Sequence, residues 1–228
     1  MRLDKFLSNM GVGTRTEVKQ LLKKNSVKVN DKVEKSPKSQ VNPEQDEITV
    51  DGKIIEYINH VYIMLNKPKG YVSATYDDIN QTVIDLIADY RHLDIFPVGR
   101  LDKDTEGLLL ITNDGQFNHN LMSPSKHVSK TYKVVSKYPI KNENIIAFKK
   151  GIELSDGKVK PAQLEKLDHN VSLVTIYEGK YHQVKRMFHS IDNEVLELKR
   201  LKIANLTLDE NLKSGEYRLL TSEELKLL

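Results

Sequence analysis

The chain has 228 residues, enough for one medium domain and one small one, with 29% charged residues and a net charge of only +3, so total charge does not single out a nucleic-acid partner. It contains no cysteine, which excludes disulfides, thiolate zinc sites and cysteine nucleophiles and fits a reducing compartment. No apolar run approaches the roughly 20 residues of a membrane span and no signal-peptide core opens the chain, so a soluble cytoplasmic protein is expected.

The charge is unevenly placed. Residues 1–30 carry seven Lys/Arg against two acids, and the stretch from there to Ile58 is net acidic. A first helical segment, Arg2 to Leu7, is broken by Gly11 and Gly13. Thr14-Arg15-Thr16-Glu17 then has the S/T-x-x-E pattern of a capping box and starts a second helix. Val18, Leu21 and Leu22 share one face of it, while Arg15, Lys19 and Lys23 recur every four residues as a basic stripe. Like charges at that spacing cost an isolated helix a few tenths of a kcal/mol each, so an anionic partner is expected to face them. Val27 to Val29 reads as a strand entering a turn at Asn30-Asp31, and Asp51-Gly52 marks a hairpin between Ile48–Val50 and Ile54-Ile55. These elements make a small α+β unit.

From about Ile58 the texture changes to strand-like runs at Val61 to Leu65, Leu108 to Thr112, Tyr132 to Val135 and Val171 to Ile176. Helices are expected at Val83 to Tyr90, Gln116 to Leu121, Glu143 to Lys150 and His182 to Ile191. The expected division is therefore residues 1–58 and 59–228, the second domain being mostly sheet.

The densest functional segment is Gly99-Arg100-Leu101-Asp102-Lys103-Asp104-Thr105-Glu106-Gly107, directly ahead of the apolar strand Leu108 to Ile111. A solvated loop of acids paired with lysines is the bland alternative. The opening of a calcium loop is also matched, but Asn113 stands where its bidentate glutamate belongs and a strand follows. A second cluster, Glu178 to Phe188, alternates bases and aromatics, which suits phosphate and base contacts or simply an amphipathic helix. The seven histidines lack ligand spacing, so no catalytic metal is expected.

Gly99-Arg100-Leu101-Asp102, with Thr105 and Gly107-Leu108, resembles the signature of the RsuA-type pseudouridine synthases. Asn66-Lys67-Pro68-Lys69-Gly70, Lys130-Thr131-Tyr132, Glu178 to Met187 and Arg200 to Ile203 resemble the family's other blocks in the same order. Met1 to Asp31 is similar to the small RNA-binding module named for ribosomal small-subunit protein S-four. The resemblance implies an α+β fold: a mobile N-terminal module, then a mixed, mainly antiparallel sheet with a central cleft. It places the catalytic aspartate on Asp102, a base-stacking tyrosine on Tyr132 and the aspartate's basic partner on Lys185, with the adjacent Arg186 as the alternative. RNA contacts are expected from Arg2, Lys5, Arg15, Lys19, Lys23, Arg100 and Arg186.

The implied reaction turns a uridine of ribosomal RNA into pseudouridine with no net redox change and no group donated, so no cofactor and no metal are called for. A cation beside the carboxylate would favour its charged form, and an aromatic face would offset the cost of turning a base out of its stack. The expected partner is small-subunit ribosomal RNA or a partly assembled small subunit, with a monomer as the default. The rivals are a large-subunit synthase of the same family and a non-catalytic assembly factor, and the Asp102, Tyr132 and Lys185 set favours the enzyme.

Overall fold

A computed structural model describes residues 1–228. The chain forms two compact units, Met1–Val61 with Asp89–Ile95, and Tyr62–Ala88 with Phe96–Leu228. The fold is mixed α+β, as the sequence indicates.

In the first unit, helix α1 (Leu3–Asn9) buries Leu3, Phe6 and Leu7, and α2 (Arg15–Lys23) buries Val18 and Leu22, the i, i+3, i+4 spacing of one helical face. The capping box forms: Glu17 Oε2 accepts from the Thr14 backbone N–H at 2.7 Å, and Thr14 Oγ1 accepts from that of Glu17 at 3.3 Å. Strands β1 (Val27–Val29), β2 (Lys32–Val33), β3 (Ile48–Val50) and β4 (Lys53–Ile54) make an antiparallel sheet in the order β2-β1-β3-β4. Both hairpins turn through two left-handed residues, Asn30-Asp31 (φ 50 and 64) and Asp51-Gly52 (φ 48 and 78), a conformation that asparagine, aspartate and glycine tolerate best. Val27, Val41 and Ile48 complete the core under the two helices.

In the second unit, β5 (Tyr62–Lys67), β6 (Phe96–Val98), β7 (Glu106–Thr112), helix α3 (Gly115–Met122), β8 (Lys130–Ser136) and helix α4 (Asn142–Lys150) are followed by a short hairpin, β9 (Glu153–Leu154) with β10 (Gly157–Lys158). Then come β11 (Gln163–Lys166), β12 (Val171–Ile176), helix α5 (Gln183–His189), β13 (Val195–Ile203), β14 (Leu206–Thr207), β15 (Tyr217–Leu219) and helix α6 (Ser222–Leu225). The main sheet runs β11-β12-β8-β13-β7-β5-β15, with β14 on β13 and β6 on β7. Its one parallel pairing joins β13 to β7. Leu108 and Leu110 point to one face of β7, Leu109 and Ile111 to the other, and all four are buried, so this strand is covered on both sides. Each such side chain contributes roughly 1.5–3 kcal/mol of burial.

The helices expected at Gln116, Glu143 and His182 are present with ends shifted by one or two residues. That expected over Val83 to Tyr90 is not: a single 3₁₀ turn, Val83–Leu86, stands there and the chain is extended by Ile87. Val83, Ile84 and Ile87 mimic a helical face, but Asp85 Oδ2 accepts the Thr82 backbone N–H at 2.7 Å and tightens the turn. The turn does not propagate.

Two features fix the first residues of β7. Gly107 (φ +103) lies so close to β13 that an added Cβ would stand 2.2 Å from the Arg200 carbonyl oxygen, so only glycine fits. Across this contact the Arg200 guanidinium, 2% exposed, donates from Nε to the Leu108 carbonyl at 2.8 Å.

Candidate active site

Asp102 sits on a turn whose backbone is held from beneath. Ser73 Oγ donates to the Leu101 carbonyl at 2.9 Å and accepts from the Leu101 N–H at 3.0 Å. The ammonium of Lys67, at the end of β5, is fully buried and reaches four carbonyls: Thr105 at 2.8 Å, Pro68 at 3.0 Å, Asp102 at 3.1 Å and Lys103 at 3.3 Å. The Gly70 N–H donates to the Lys103 carbonyl at 2.8 Å, and the Thr105 N–H closes the turn on the Asp102 carbonyl at 3.1 Å. Burial pushes the Lys67 ammonium down to about 8, even though Asp104, Asp102 and Glu106 favour its charge. A buried cation satisfied by carbonyls fixes backbone shape and leaves the Asp102 side chain free for another partner.

That partner is Lys185. The ammonium stands 3.0 Å from Asp102 Oδ2 and donates at 2.6 Å to Asp104 Oδ1. Lys185 and Asp102 are each about a quarter exposed, whereas Asp104 is 70% exposed. Burial opposes the charge of Lys185, but its bonds to Asp104 and Asp102 outweigh that and raise its pKa above the ordinary lysine value. The lysine therefore stays charged throughout the neutral range.

Helix α5 delivers Lys185 because the turn ahead of it is pinned. Gln183, buried, accepts the Lys180 N–H at 2.9 Å and donates to Glu178 Oε1 at 3.1 Å. His182 caps the helix in the left-handed region (φ 47), and its Nε2 lies 3.5 Å from Asp102 Oδ1. The exposed ring of Tyr181 stacks on the His182 ring at 3.8 Å between centroids. Asp102 is thus flanked by an ammonium and an imidazole.

Tyr132 lies on β8, 7% exposed, in register with Arg200 of β13, which is itself in register with Gly107 of β7. Tyr132, Arg200 and Gly107 form one cross-strand row leading to the Asp102 turn, and most of the ring is covered. Arg186 is committed to Asp156, at 2.9 and 3.3 Å, and not to Asp102. Arg100 is exposed and borders a hollow of about 380 Å³; a second hollow of about 310 Å³ is bordered by His182, Lys185, Arg186 and His189. In the first unit Arg2 pairs with the buried Asp4 at 2.7 Å, whereas Lys5, Arg15, Lys19 and Lys23 are exposed. Asp102 and Asp104 turn to Lys185, and Glu106 lies 3.7 Å from Lys69, so the three acids do not converge.

Sequence reasoning did not single out Lys67, Ser73, Asp104 or His182. Lys67 follows an apolar run and belongs to a recognisable block, but nothing in a linear string shows that its ammonium is buried. His182 belongs to the Glu178 to Phe188 cluster and stands at the start of an expected helix, but nothing in the sequence ties it to Asp102.

Comparison with known proteins adds independent observations. Residues 61–190 match the model of the RNA pseudouridylate synthase family, and residues 1–48 match the S4 domain. The chain is 48% identical over its full length to an RNA pseudouridine synthase of Bacillus subtilis described as uncharacterized, covering 98% of that protein. It is 45% identical to ribosomal small subunit pseudouridine synthase A of Vibrio cholerae and 40% identical to that of Escherichia coli, covering 99% of this chain and 98% of each relative. A crystal structure of a pseudouridylate synthase is 39% identical, with a TM-score of 0.71 and full coverage of both chains.

Proposed function

The chain belongs to the RNA pseudouridylate synthase family, and from that premise we propose that it isomerises a uridine of small-subunit ribosomal RNA, with Asp102 as the group that attacks the nucleotide. The reaction breaks the bond from ribose C1′ to uracil N1, turns the base and joins C1′ to C5, while the C5 proton leaves and N1 gains one. Atoms and electrons balance without a donor or an oxidant. Asp102 begins the reaction as a carboxylate, whether it removes a ribose proton or adds to the sugar carbon.

The observation that carries this reading is the ion pair of 3.0 Å between Asp102 and Lys185, on a turn whose carbonyls are clamped by Lys67. A carboxylate held beside a charged lysine on a clamped turn is an arrangement that nucleophilic or general-base chemistry uses, and it favours the enzyme over a factor that only binds RNA. Lys185, not Arg186, is the basic partner in this reading, because Arg186 is spent on Asp156. Tyr132 supplies an aromatic surface toward the target base, of which only a small part is open.

Residues 1–58 serve as the RNA-anchoring domain and residues 59–228 as the catalytic domain. The exposed Lys5, Arg15, Lys19 and Lys23 hold phosphates, a contact that adds affinity but little sequence information. Small-subunit RNA is favoured over large-subunit RNA by the relatives of 45% and 40% identity named for the small subunit. A monomer acting in the cytoplasm on RNA or on a partly assembled subunit completes the reading.

The test is incubation of the purified chain with unmodified small-subunit and large-subunit ribosomal RNA, followed by carbodiimide-stop primer extension. One new stop in small-subunit RNA, absent with Asp102→Asn, is expected. A stop that survives Asp102→Asn would remove Asp102 from the chemistry, and stops in large-subunit RNA alone would reassign the substrate.

A further inference from the structure

The hollow beside Arg100 is not used by the chemistry above. It lies within the second unit as an open depression of about 380 Å³, which is room for a nucleobase to lie against. Phe96, Pro97 and Met122 give it apolar walls, and Arg100, Asn118 and Thr75 give it polar edges. The Arg100 guanidinium, the Asn118 amide and the Thr75 hydroxyl make no hydrogen bond within the protein. Flat apolar walls with unengaged donors at the rim match the two needs of an unpaired base, a surface for its face and partners for its edge.

The hollow is also rigidly coupled to the catalytic turn. Gly99, two residues before Leu101, adopts φ +70, and an added Cβ would stand 2.6 Å from Met122 Sδ, so this wall is closely packed. Ser73, Ala74 and Thr75 also line it, and they begin a loop tied at one end by Ser73 to Leu101 and at the other by Lys103 Nζ, which donates to Asn80 Oδ1 at 2.6 Å. Between those ties Asp77 Oδ1 accepts from the Ile79 and Asn80 backbone N–H groups at 3.0 and 2.7 Å. This ordered loop presents Tyr76, 77% exposed, and Ile79, 91% exposed.

Resting on the proposed RNA-modifying function, we infer that this hollow is a second nucleotide site, which holds the unpaired base of the nucleotide next to the target uridine. Its position explains why it is hinged on the Asp102 turn: a strand whose target base lies at Asp102 passes its neighbour over Gly99 and Arg100. The site adds specificity for an unpaired neighbour without touching the reacting atoms.

The experiment uses the full chain and small-subunit RNA in which the modified uridine has first been mapped. The nucleotide on each side of that uridine is replaced in turn by an abasic one, and single-turnover rates are measured with wild type, Asn118→Ala and Thr75→Val. One abasic position is expected to slow the wild type about tenfold or more, and the Asn118→Ala defect is expected to vanish on that same RNA, because both changes remove one contact. Thr75→Val, at an exposed position, repeats the test should Asn118→Ala fold poorly. Equal rates on all three RNAs, or defects that simply multiply, would overturn the second site while leaving the enzyme reading intact. No pseudouridine in any intact RNA would instead overturn the enzyme reading, and this site with it.

Discussion

The ammonium of Lys67 ends on the main-chain carbonyl of Asp102, 3.1 Å away, so a residue that touches no substrate fixes the backbone that carries the reactive carboxylate. Lys67→Met is expected to lose this clamp. Removing a buried charge offsets part of the loss, but carbonyls stranded without a donor cost about 1–3 kcal/mol. Stability should fall by roughly that amount and the turnover rate by at least about tenfold, with RNA affinity retained. Chemical denaturation and single-turnover rates measure both, and an unchanged turnover rate would show that the turn holds its shape without Lys67.

Lys185→Met and Arg186→Met should separate two neighbours that a linear reading cannot. Lys185 lies 3.0 Å from Asp102, whereas Arg186 lies 2.9 Å from Asp156. Losing Lys185 leaves Asp102 with His182 alone at 3.5 Å, and a drop of about 100-fold or more in the turnover rate is expected. Arg186→Met should cost less than about tenfold and act mainly through stability. The reverse ranking would transfer the role to Arg186.

How far the sequence discloses this site is clearest at that pair. Asp102 and Lys185 are 83 positions apart in the chain, and only likeness to a family joined them; the spacing of α5 gives Lys185 and Arg186 equal claims, and tertiary contact decides. Capping boxes, hairpin turns and helical faces were legible because their causes are local: Thr14 with Glu17, Asp51 with Gly52, Leu3 with Phe6 and Leu7. The false helix at Val83 shows the limit, since its apolar pattern suited a helix while a side chain three residues from Thr82 decided otherwise. The Lys67 clamp, the Gly107 approach to β13 and the hollow under Gly99 depend on strands distant in sequence.

Alkaline pH should reveal a second, half-buried lysine. Burial, aided by the charge of Arg200, pushes Lys130 down to about 8 from 10.5. Between those values the unfolded chain holds a proton that the folded chain has released, so stability contributed by this group rises as pH rises. Lys67, also near 8, acts in the same direction. Lys130→Met removes the penalty of a half-buried charge, and the variant should gain about 1 kcal/mol over wild type at neutral pH once solvent screening is allowed for. That advantage should shrink steadily toward pH of about 10. Urea unfolding across this range measures it, and a constant difference would show that Lys130 keeps its proton.

The basic stripe of α2 makes a separate claim on the RNA. Arg15, Lys19 and Lys23 are exposed and none of them forms a salt bridge, although the charge of Arg15 is felt by Asp4, the carboxylate that Arg2 binds directly. Three cations left facing solvent on one helix destabilise it slightly, and a bound phosphate backbone reverses that cost. Each phosphate contact releases about 0.7 counterion on single-stranded RNA. Replacing all three by glutamine should therefore lower the slope of log affinity against log salt by about 2 and weaken binding at low salt, while single-turnover chemistry on saturating RNA stays near wild type. Binding titrations at several salt concentrations provide the check. An unchanged slope would make the stripe a solvated face, and a fall in the chemical step would mean that α2 positions the target as well as anchoring the RNA.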